Sequence, residues 1–394
     1  MKARKNKKHN TSVVYQISRV AKPFGVLRLY WLYSFRVVRI VLGYFLKDHR
    51  TMSRRERIAN VKPLRLIASE VWSSWRKWRE FPFSYFINFL WLKSAGQFSK
   101  IDDFVPLIRH EKERDLQVTL RSKEILSSKV FMSKLMSALD IPQATPVLYG
   151  EAGRLFSSDI EVLVNEQDLN DVLSKTRAMK LFLKYDVSYG GKDVHCFVKH
   201  NGHFRNQNGI VLDLDFLRSE VSAANFVCQE GLVQIPIMAA FNVDSVNTLR
   251  IMTRFRADTV DVVAALLRVG RQGSHVDNGT AGGLSCHVDL DNWTTSGTGV
   301  LWNSYPFEFY ERHPDSGVKF DGVQLPFRDK TIDLVRRFAM MFPGCEIVGW
   351  DICLANDGPK IVEVNWNPDV ELPQMSEKVG RGDIYFGEAL SSNQ

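Results

Sequence analysis

The sequence is poor in cysteine: its five cysteines are Cys196, Cys228, Cys286, Cys345 and Cys353. They are widely spaced and never form a C-x-x-C pair, the spacing that a zinc site or a dense disulfide framework needs. We therefore expect reduced thiols in a cytoplasmic protein. The sequence also lacks internal repeats, so a repeat architecture is not indicated.

Acidic residues are scarce in the first 100 positions, which carry 4 Asp/Glu against 22 Lys/Arg. The remaining positions carry 40 Asp/Glu against 30 Lys/Arg, so the net charge of +8 conceals a basic module joined to an acidic body. A length of 394 residues also suits two domains. We predict a basic, aromatic-rich helical N-terminal module over residues 1–105 and a second domain over residues 106–394.

The N-terminal module has no uninterrupted apolar run long enough to cross a membrane. Its longest charge-free stretch, residues 81–92, has twelve residues, whereas a spanning helix needs about 20 apolar residues. Basic residues also break up the apolar segment that a secretory signal peptide would need. From the sequence we therefore expect neither a spanning helix nor a signal peptide.

Two segments of this module, residues 26–46 and 71–80, are amphipathic, because basic residues alternate with aromatic and aliphatic ones. In the second segment Trp72, Trp75 and Trp78 recur every three positions. These segments could pack on the second domain with solvated basic faces, or lie on an anionic membrane surface. Nucleic-acid binding is the least favoured alternative, since no RNP-like, helix-turn-helix or zinc-finger pattern is present.

Beyond residue 106, strands and helices mix without strict alternation, which is typical of an α+β architecture in several small lobes. Apolar spacing predicts three helices, over residues 127–139, 166–176 and 331–341. It predicts strands over residues 162–164, 181–184, 226–229, 248–255, 260–268 and 347–354.

The strongest local pattern is a pair of apolar runs around the turn-type sequence at 356–359, which predicts a β-hairpin. Asp351 then falls opposite or nearly opposite Glu363, and Asn365 shares the face of Glu363 because strand side chains alternate. Two carboxylates and an amide oxygen suit Mg²⁺, which completes its shell with water and substrate phosphates. The alternative is a hairpin that carries unrelated surface acids.

Two lysines are candidates for binding phosphate groups. Lys184 ends a short apolar strand and is followed by Gly190 and Gly191, where backbone N–H groups can approach phosphates closely. Lys129 opens a predicted helix and could reach the same phosphates. Taken singly, these features also fit an ordinary turn and a surface lysine.

Arg250 and Arg268 lie within or at the end of apolar strands, where an unpaired guanidinium would be costly. Arginine binds oxyanions through its fork of donors, so contact with a transferring phosphoryl group or an acyl phosphate is one interpretation. Structural salt bridges to Asp351 or Glu363 are the other.

Taken together, these segments resemble the sugar-transfer-associated family of the ATP-grasp superfamily, over about residues 106–385. The resemblance rests on Ser245-Val-Asn-Thr-Leu-Arg-Ile251, Leu267-Arg-Val-Gly270, Val276-Asp-Asn278 with Gly282-Gly283, Val348-Gly-Trp-Asp-Ile352, and Gly358-Pro359 with Glu363-Val-Asn365.

This resemblance implies an ATP-grasp fold, in which two α+β lobes grip ATP, and it implies a role for each site residue. It implies nucleotide contacts from the two lysines, the glycine loop and a hinge strand, namely Lys129, Lys184, Gly190, Gly191, Gln229, Glu230 and Leu232. It also implies catalytic, anion-binding roles for Arg250 and Arg268. The implied ligands of Mg²⁺ are Asp351, Glu363 and Asn365.

The chemistry implied by the resemblance has two steps. A substrate carboxylate and ATP give an acyl phosphate and ADP, and an amine, or less often another nucleophile, then displaces phosphate. No protein nucleophile is needed, so we interpret His275 and His287 as loop or core residues. The leading hypothesis is a carboxylate–amine ligase of polysaccharide or glycoconjugate biosynthesis, acting on a small carboxylate or sugar-linked substrate.

Two alternatives stay open: a kinase that phosphorylates a hydroxyl, and a non-catalytic ATP-binding adaptor of a membrane glycan-synthesis complex. In the adaptor hypothesis, residues 1–100 contact a glycosyltransferase or the membrane surface. We expect a cytoplasmic location, with peripheral contact to the inner membrane surface as an open alternative.

Overall fold

The structure is a computed structural model that describes residues 22–46, 53–114, 116–186, 194–301 and 307–386. The chain divides into two compact units, Met1–Lys112 and Glu113–Gln394. The division falls a few positions after the domain boundary that the sequence predicts between residues 105 and 106.

The first unit is helical where it is described. Its helices are α1 (Lys22–Leu46), α2 (Arg54–Ala59), α3 (Leu64–Trp78), α4 (Phe83–Ile87) and α5 (Leu107–Arg114, which runs into the second unit), with short 3₁₀ helices at Lys93–Gln97 and Ile101–Asp103. Helix α2 begins at a capping box in which Ser53 Oγ accepts from the Glu56 N–H and the Glu56 carboxylate accepts from the Ser53 N–H. In α3, Trp78 is buried, whereas Trp72 and Trp75 are exposed and stack on each other.

Helix α1 is relevant to the sequence-based expectation that no segment crosses a membrane. Its window Arg28–Leu46 spans 19 residues and is long and apolar enough to cross a bilayer, by length and composition only. Counting charge-free residues misses this window because a continuous helix tolerates a few arginines within it. By its length and composition, α1 could therefore cross a membrane, whereas the sequence-based expectation is that no segment does.

The second unit contains two antiparallel sheets. The first has the strand order β2-β1-β6-β3-β4-β5 and comprises β1 (Pro146–Glu151), β2 (Arg154–Ser157), β3 (Lys180–Tyr185), β4 (Val194–His200), β5 (His203–Arg205) and β6 (Phe226–Glu230). The second has the order β11-β10-β9-β8-β7-β12-β13 and comprises β7 (Thr248–Arg256), β8 (Thr259–Val269), β9 (Leu284–Asp289), β10 (Thr294–Leu301), β11 (Glu308–Tyr310), β12 (Ile347–Ala355) and β13 (Gly358–Asn365).

Helices cover these sheets and connect their strands. They are α6 (Leu120–Ser127), α7 (Lys129–Ala138), α8 (Glu166–Lys175), α9 (Leu214–Ala223), α10 (Pro236–Ala239), α11 (Arg328–Ala339), α12 (Glu371–Glu377) and α13 (Gly382–Phe386), with a 3₁₀ turn at Gly279–Ala281. Helix α11 packs on the seven-stranded sheet, where Phe338 lies against Trp350 in the core. Each sheet thus has its own hydrophobic core.

The predicted α+β class is confirmed, and most of the predicted elements are present. Residues 162–164 do not form the predicted strand: Val162 makes a single bridge to Phe156, and both Val162 and Val164 are exposed. Strands β9 to β11 are not predicted from the sequence. In β10, for example, the run Thr-Thr-Ser-Gly-Thr-Gly carries little apolar alternation, and the neighbouring strands supply the pairing.

Candidate active site

The β12–β13 hairpin is present as the sequence predicts. A two-residue turn, Asn356 and Asp357, joins the strands, and Ala355 pairs with Gly358, whose φ of +133° favours glycine. Asp351 pairs directly with Glu363 across the hairpin, and Gly349 pairs with Asn365. The turn aligns the strands as far as the pair Ile352–Ile361, and a one-residue register shift at Val362 then brings the two carboxylates side by side.

Asp351 is held by both arginines. Arg250 donates through Nε to Asp351 Oδ1 (2.5 Å) and through Nη2 to Oδ2 (2.9 Å), while Arg268 Nη1 lies 3.0 Å from both oxygens. Burial alone would raise the pKa of Asp351, but attraction and hydrogen bonds from the two guanidinium groups outweigh burial and lower it to about 2. The structure thus contains the salt bridges that the sequence leaves as one of two alternatives.

Asp277 extends this charge network, and sequence reasoning assigned it no role. Its carboxylate accepts from the Thr248 N–H (3.1 Å) and hydroxyl, and from Arg268 Nη2 (3.2 Å). Burial raises the pKa of Asp277, against the attraction of Arg268. Opposite charges therefore alternate along a buried row: Asp277, Arg268, Asp351 and Arg250. The only sequence signal for Asp277 is the Val276-Asp-Asn278 segment.

The two lysines come from different elements and meet near Glu363. Lys129 Nζ lies 3.5 Å from Glu363 Oε1, and Lys184 Nζ donates to the Val362 carbonyl at 3.4 Å. Burial lowers the pKa of Lys184; Glu363 opposes this effect and Lys129 adds to it. Both positive charges thus face the carboxylate end of the hairpin.

A local hydrogen-bond arrangement places these lysines together. Asp186, just beyond β3, accepts from the Ser128 hydroxyl at 2.9 Å and from the Val130 N–H at 3.0 Å. Ser128 is also the N-cap of α7. The end of the Lys184 strand is therefore fixed to the start of the Lys129 helix.

A cleft of about 900 Å³, including its open mouth, joins these groups. Its apolar lining includes Phe182, Leu232, Val246 and Val362, which suits an aromatic base. The cleft thus has an apolar part and a strongly charged part.

The predicted hinge residues line this cleft in different ways. The Gln229 side chain is buried and donates to the Ala144 carbonyl at 3.2 Å, so it is already bonded to protein. The Glu230 carboxylate accepts from the Thr176 hydroxyl. Among the described residues that carry a predicted role, those lining the cleft are Lys129, Lys184, Gln229, Glu230, Leu232, Arg268, Asp351 and Glu363.

The other residues with a predicted role do not line the cleft or lie outside the described residues. Among the described residues, Arg250 and Asn365 are not part of the cleft lining, and Arg250 adjoins the cleft through Asp351. Gly190 and Gly191 lie outside the described residues. His275, interpreted from the sequence as a loop or core residue, lines the cleft, and Asp277 two residues later in the same loop binds Arg268.

The residues at the predicted magnesium site fit that ion in part. Within the described part of the chain, no cluster of three or more His, Cys, Asp or Glu side chains could hold a metal. Mg²⁺ needs only one or two carboxylates, because phosphates and water supply most of its shell. Glu363, about 38% exposed, fits this need. Asn365 fits as well, since its buried amide nitrogen has no partner among the described residues and the amide can present its oxygen instead.

Two antiparallel sheets that share one cleft, with lysines from one side and a carboxylate hairpin from the other, define the ATP-grasp class of nucleotide-binding enzymes. The model of the sugar-transfer associated ATP-grasp family matches residues 115–382, and the chain belongs to this family. The predicted fold and family are thereby confirmed. No curated protein matches the sequence at a significant level.

Several solved structures are similar to the chain at low identity. D-alanyl-alanine synthetase A from Vibrio cholerae has 12% identity and a TM-score of 0.39, covering 71% of this chain and 72% of that one. N5-carboxyaminoimidazole synthetase from Staphylococcus aureus, complexed with ADP, has 6% identity and a TM-score of 0.36, covering 64% of this chain and 48% of that one. The chain thus spans about half the length of that synthetase. Both TM-scores are below 0.5, so the family assignment rests on the sequence match.

Proposed function

We propose that the protein is an ATP- and Mg²⁺-dependent ligase that activates a carboxylate as an acyl phosphate and joins it to an amine. The observation that carries this proposal is the meeting of Lys129, Lys184 and Arg268 with Asp351 and Glu363 in one cleft. Phosphoryl transfer needs positioning and charge neutralisation, which these residues supply.

The first step forms a bond between a carboxylate oxygen of the substrate and the γ-phosphorus of ATP, and ADP leaves. Lys129 and Lys184 offset the charge of the nucleotide phosphates, and Arg268 faces the transferring group from the other side of the cleft. Glu363 and Asn365 would hold Mg²⁺, which would supply further charge neutralisation when bound, and Asp351, already bound by Arg250 and Arg268, lies beside them. The apolar side chains around Phe182 and Leu232 receive the adenine ring.

The second step forms a bond between the amine nitrogen and the acyl carbon, and inorganic phosphate leaves with the electron pair of the broken C–O bond. The family description supports a place in the biosynthesis of a polysaccharide or glycoconjugate, so we propose a sugar-linked or small carboxylate substrate.

The proposal predicts hydroxamate formation. Purified protein with Mg·ATP, hydroxylamine and a pool of uronic acids, amino acids and dicarboxylates should release ADP and form hydroxamate in equal amounts. Equal amounts are expected because hydroxylamine traps each acyl phosphate once. ADP release without hydroxamate would contradict the ligase and favour transfer to a hydroxyl. Nucleotide binding without turnover of any donor would favour a non-catalytic adaptor.

For the first unit, we propose peripheral association with an anionic membrane surface on the cytoplasmic side. Trp31, Phe35, Val38, Leu42 and Leu46 are exposed on α1 at intervals of three or four residues, so they share one face. Trp31 is 69% and Leu46 72% exposed, which is unusual for side chains of this size. The excess of basic residues in positions 1–100 complements anionic lipid.

Vesicle co-sedimentation tests this association. We expect the full chain to bind vesicles that contain phosphatidylglycerol more tightly than phosphatidylcholine vesicles, with binding reduced by salt. The double variant Trp31→Ser/Phe35→Ser should weaken binding at least about tenfold, because two aromatic side chains no longer enter the interface. The matched control is Val243→Ser, a 74% exposed side chain of the second unit. Binding unaffected by the double variant would contradict the proposal, and resistance to salt would favour a spanning α1.

A further inference from the structure

The second step of the proposed reaction leaves a proton on the attacking nitrogen, and something in the cleft must accept it. In the proposed first step Lys129 and Lys184 contact the nucleotide phosphates and Arg268 the transferring group, so these three side chains do not accept this proton. The carboxylates that line the cleft already have partners. Asp351 binds two arginines, Asp277 binds Arg268 and Thr248, and Glu363 faces Lys129 at 3.5 Å. Glu230 binds the Thr176 hydroxyl.

His275 is the remaining titratable side chain in the described lining of the cleft. It lies two residues before Asp277, in the loop between β8 and β9, next to the charged part of the site. Its Nδ1 lies 3.5 Å from the Asp244 carbonyl oxygen. A proton on Nδ1 would face that carbonyl, which leaves the lone pair of Nε2 to accept a proton.

The loop around His275 is braced on both sides. The Gly273 N–H donates to the Asp244 carboxylate at 2.8 Å, and the Ser274 hydroxyl donates to the Val276 carbonyl at 2.7 Å. A Cβ at Gly270 would lie 2.8 Å from that carbonyl, so glycine permits the loop to fold back on β8. The imidazole is therefore attached to a fixed backbone, as a catalytic group requires.

Further charges near this loop are also paired. Arg271 forms a bidentate ion pair with Asp315, and this pairing holds the pKa of Asp315 down to about 2. The cleft presents to His275 the cations Lys129, Lys184 and Arg268 and the anions Glu230, Asp277, Asp351 and Glu363.

We propose that His275 is the general base of the second step. As the amine nitrogen bonds to the acyl carbon and phosphate leaves, the proton on nitrogen passes to His275 Nε2 and then to solvent. This inference rests on the proposed function and assigns a catalytic role that the fold alone does not require.

The test compares two nucleophiles in a His275→Gln variant. One is the amine that gives most product from a pool of amino sugars and amino acids, and the other is hydroxylamine, which is largely uncharged at neutral pH. We expect the amine-dependent kcat/KM to fall about 10²–10³-fold, the range for loss of a general base. Hydroxamate formation should change less than about threefold, because hydroxylamine needs little help to lose its proton.

The pH profile gives a second readout. In His275→Gln, the contribution of the general base to the rise of the amine-dependent kcat/KM with pH should be lost, so that only the rise from deprotonation of the amine remains. His287→Gln is the matched control, because His287 lies on β9 and does not line the cleft. Thermal unfolding of each variant checks the fold.

Three possible results of this experiment decide whether His275 is the general base. Selective loss of the amine reaction supports it. Equal loss of both reactions, or no loss of either, would overturn it, because a structural role affects both nucleophiles and no role affects neither. Absence of hydroxamate with the native protein would instead count against the ligase itself, so the two failures are distinguishable.

Discussion

Replacing Glu363 with glutamine is expected to lower hydroxamate formation at least about a hundredfold while leaving the fold intact. The substitution keeps the size of the side chain and removes its charge. Glu363 lies on β13 near the end away from the turn, 3.5 Å from Lys129 and beside buried Lys184. Loss of one preorganised electrostatic group at a reacting phosphoryl or acyl centre costs about 10²–10³ in rate.

The fold should persist because Glu363 is about 38% exposed and its ion pair with Lys129 is therefore partly screened. The matched control is Asp357→Asn, which makes the same type of change in the turn of the same hairpin, where Asp357 pairs with Lys360 at 2.8 Å. We expect native rates for this control. Hydroxamate formation by Glu363→Gln within threefold of native would show that the hairpin carboxylate does not act in the chemistry.

Replacing Arg268 with methionine is expected to lower the free energy of unfolding by about 3–5 kcal/mol, the cost of removing one partner from a buried charge pair. The Arg268 side chain is 8% exposed and its partner Asp351 is 6% exposed. Without Arg268, the hydrogen-bond donors left to Asp277 within the described part of the chain are the N–H and hydroxyl of Thr248, and Asp351 retains the guanidinium of Arg250. Methionine fills a similar volume, so the lowered free energy of unfolding reflects the lost charge and not a new cavity.

Chemical denaturation of native and variant protein measures this effect. Arg328→Met is the matched control, because the ion pair of Arg328 with Asp329 is exposed and should contribute less than about 1 kcal/mol. The double variant Arg268→Met/Asp277→Asn should recover part of the stability, since it removes one of the two carboxylates that lose a cation. A loss below about 1 kcal/mol in Arg268→Met would contradict the buried network.

The local parts of this site follow from the sequence. The turn residues at 356–359 and the apolar runs beside them specify the hairpin, and the period of two puts Glu363 and Asn365 on one face. Lys184 is predicted at a strand end for a similar reason, because its apolar run stops there. The direct pairing of Asp351 with Glu363 also needs the one-residue register shift at Val362, which the turn sequence does not specify.

The role of the arginines could not be predicted from the local sequence. Arg250 and Arg268 are separated from Asp351 by 101 and 83 positions, and only the order β8-β7-β12 places them together. Residue type alone allows both an anion site and a salt bridge. Asp277 and His275 were missed for a related reason, since a loop position carries no periodicity that reveals which way it folds.

The sequence by itself determined the α+β class, the basic first module, the hairpin and the family resemblance, because each depends on composition or on neighbours within about twenty positions. The tertiary structure alone decided which charges are buried, which carboxylates are already neutralised and which histidine borders the cleft. These properties depend on contacts between strands far apart in the chain, where burial and pairing set the cost of each charge.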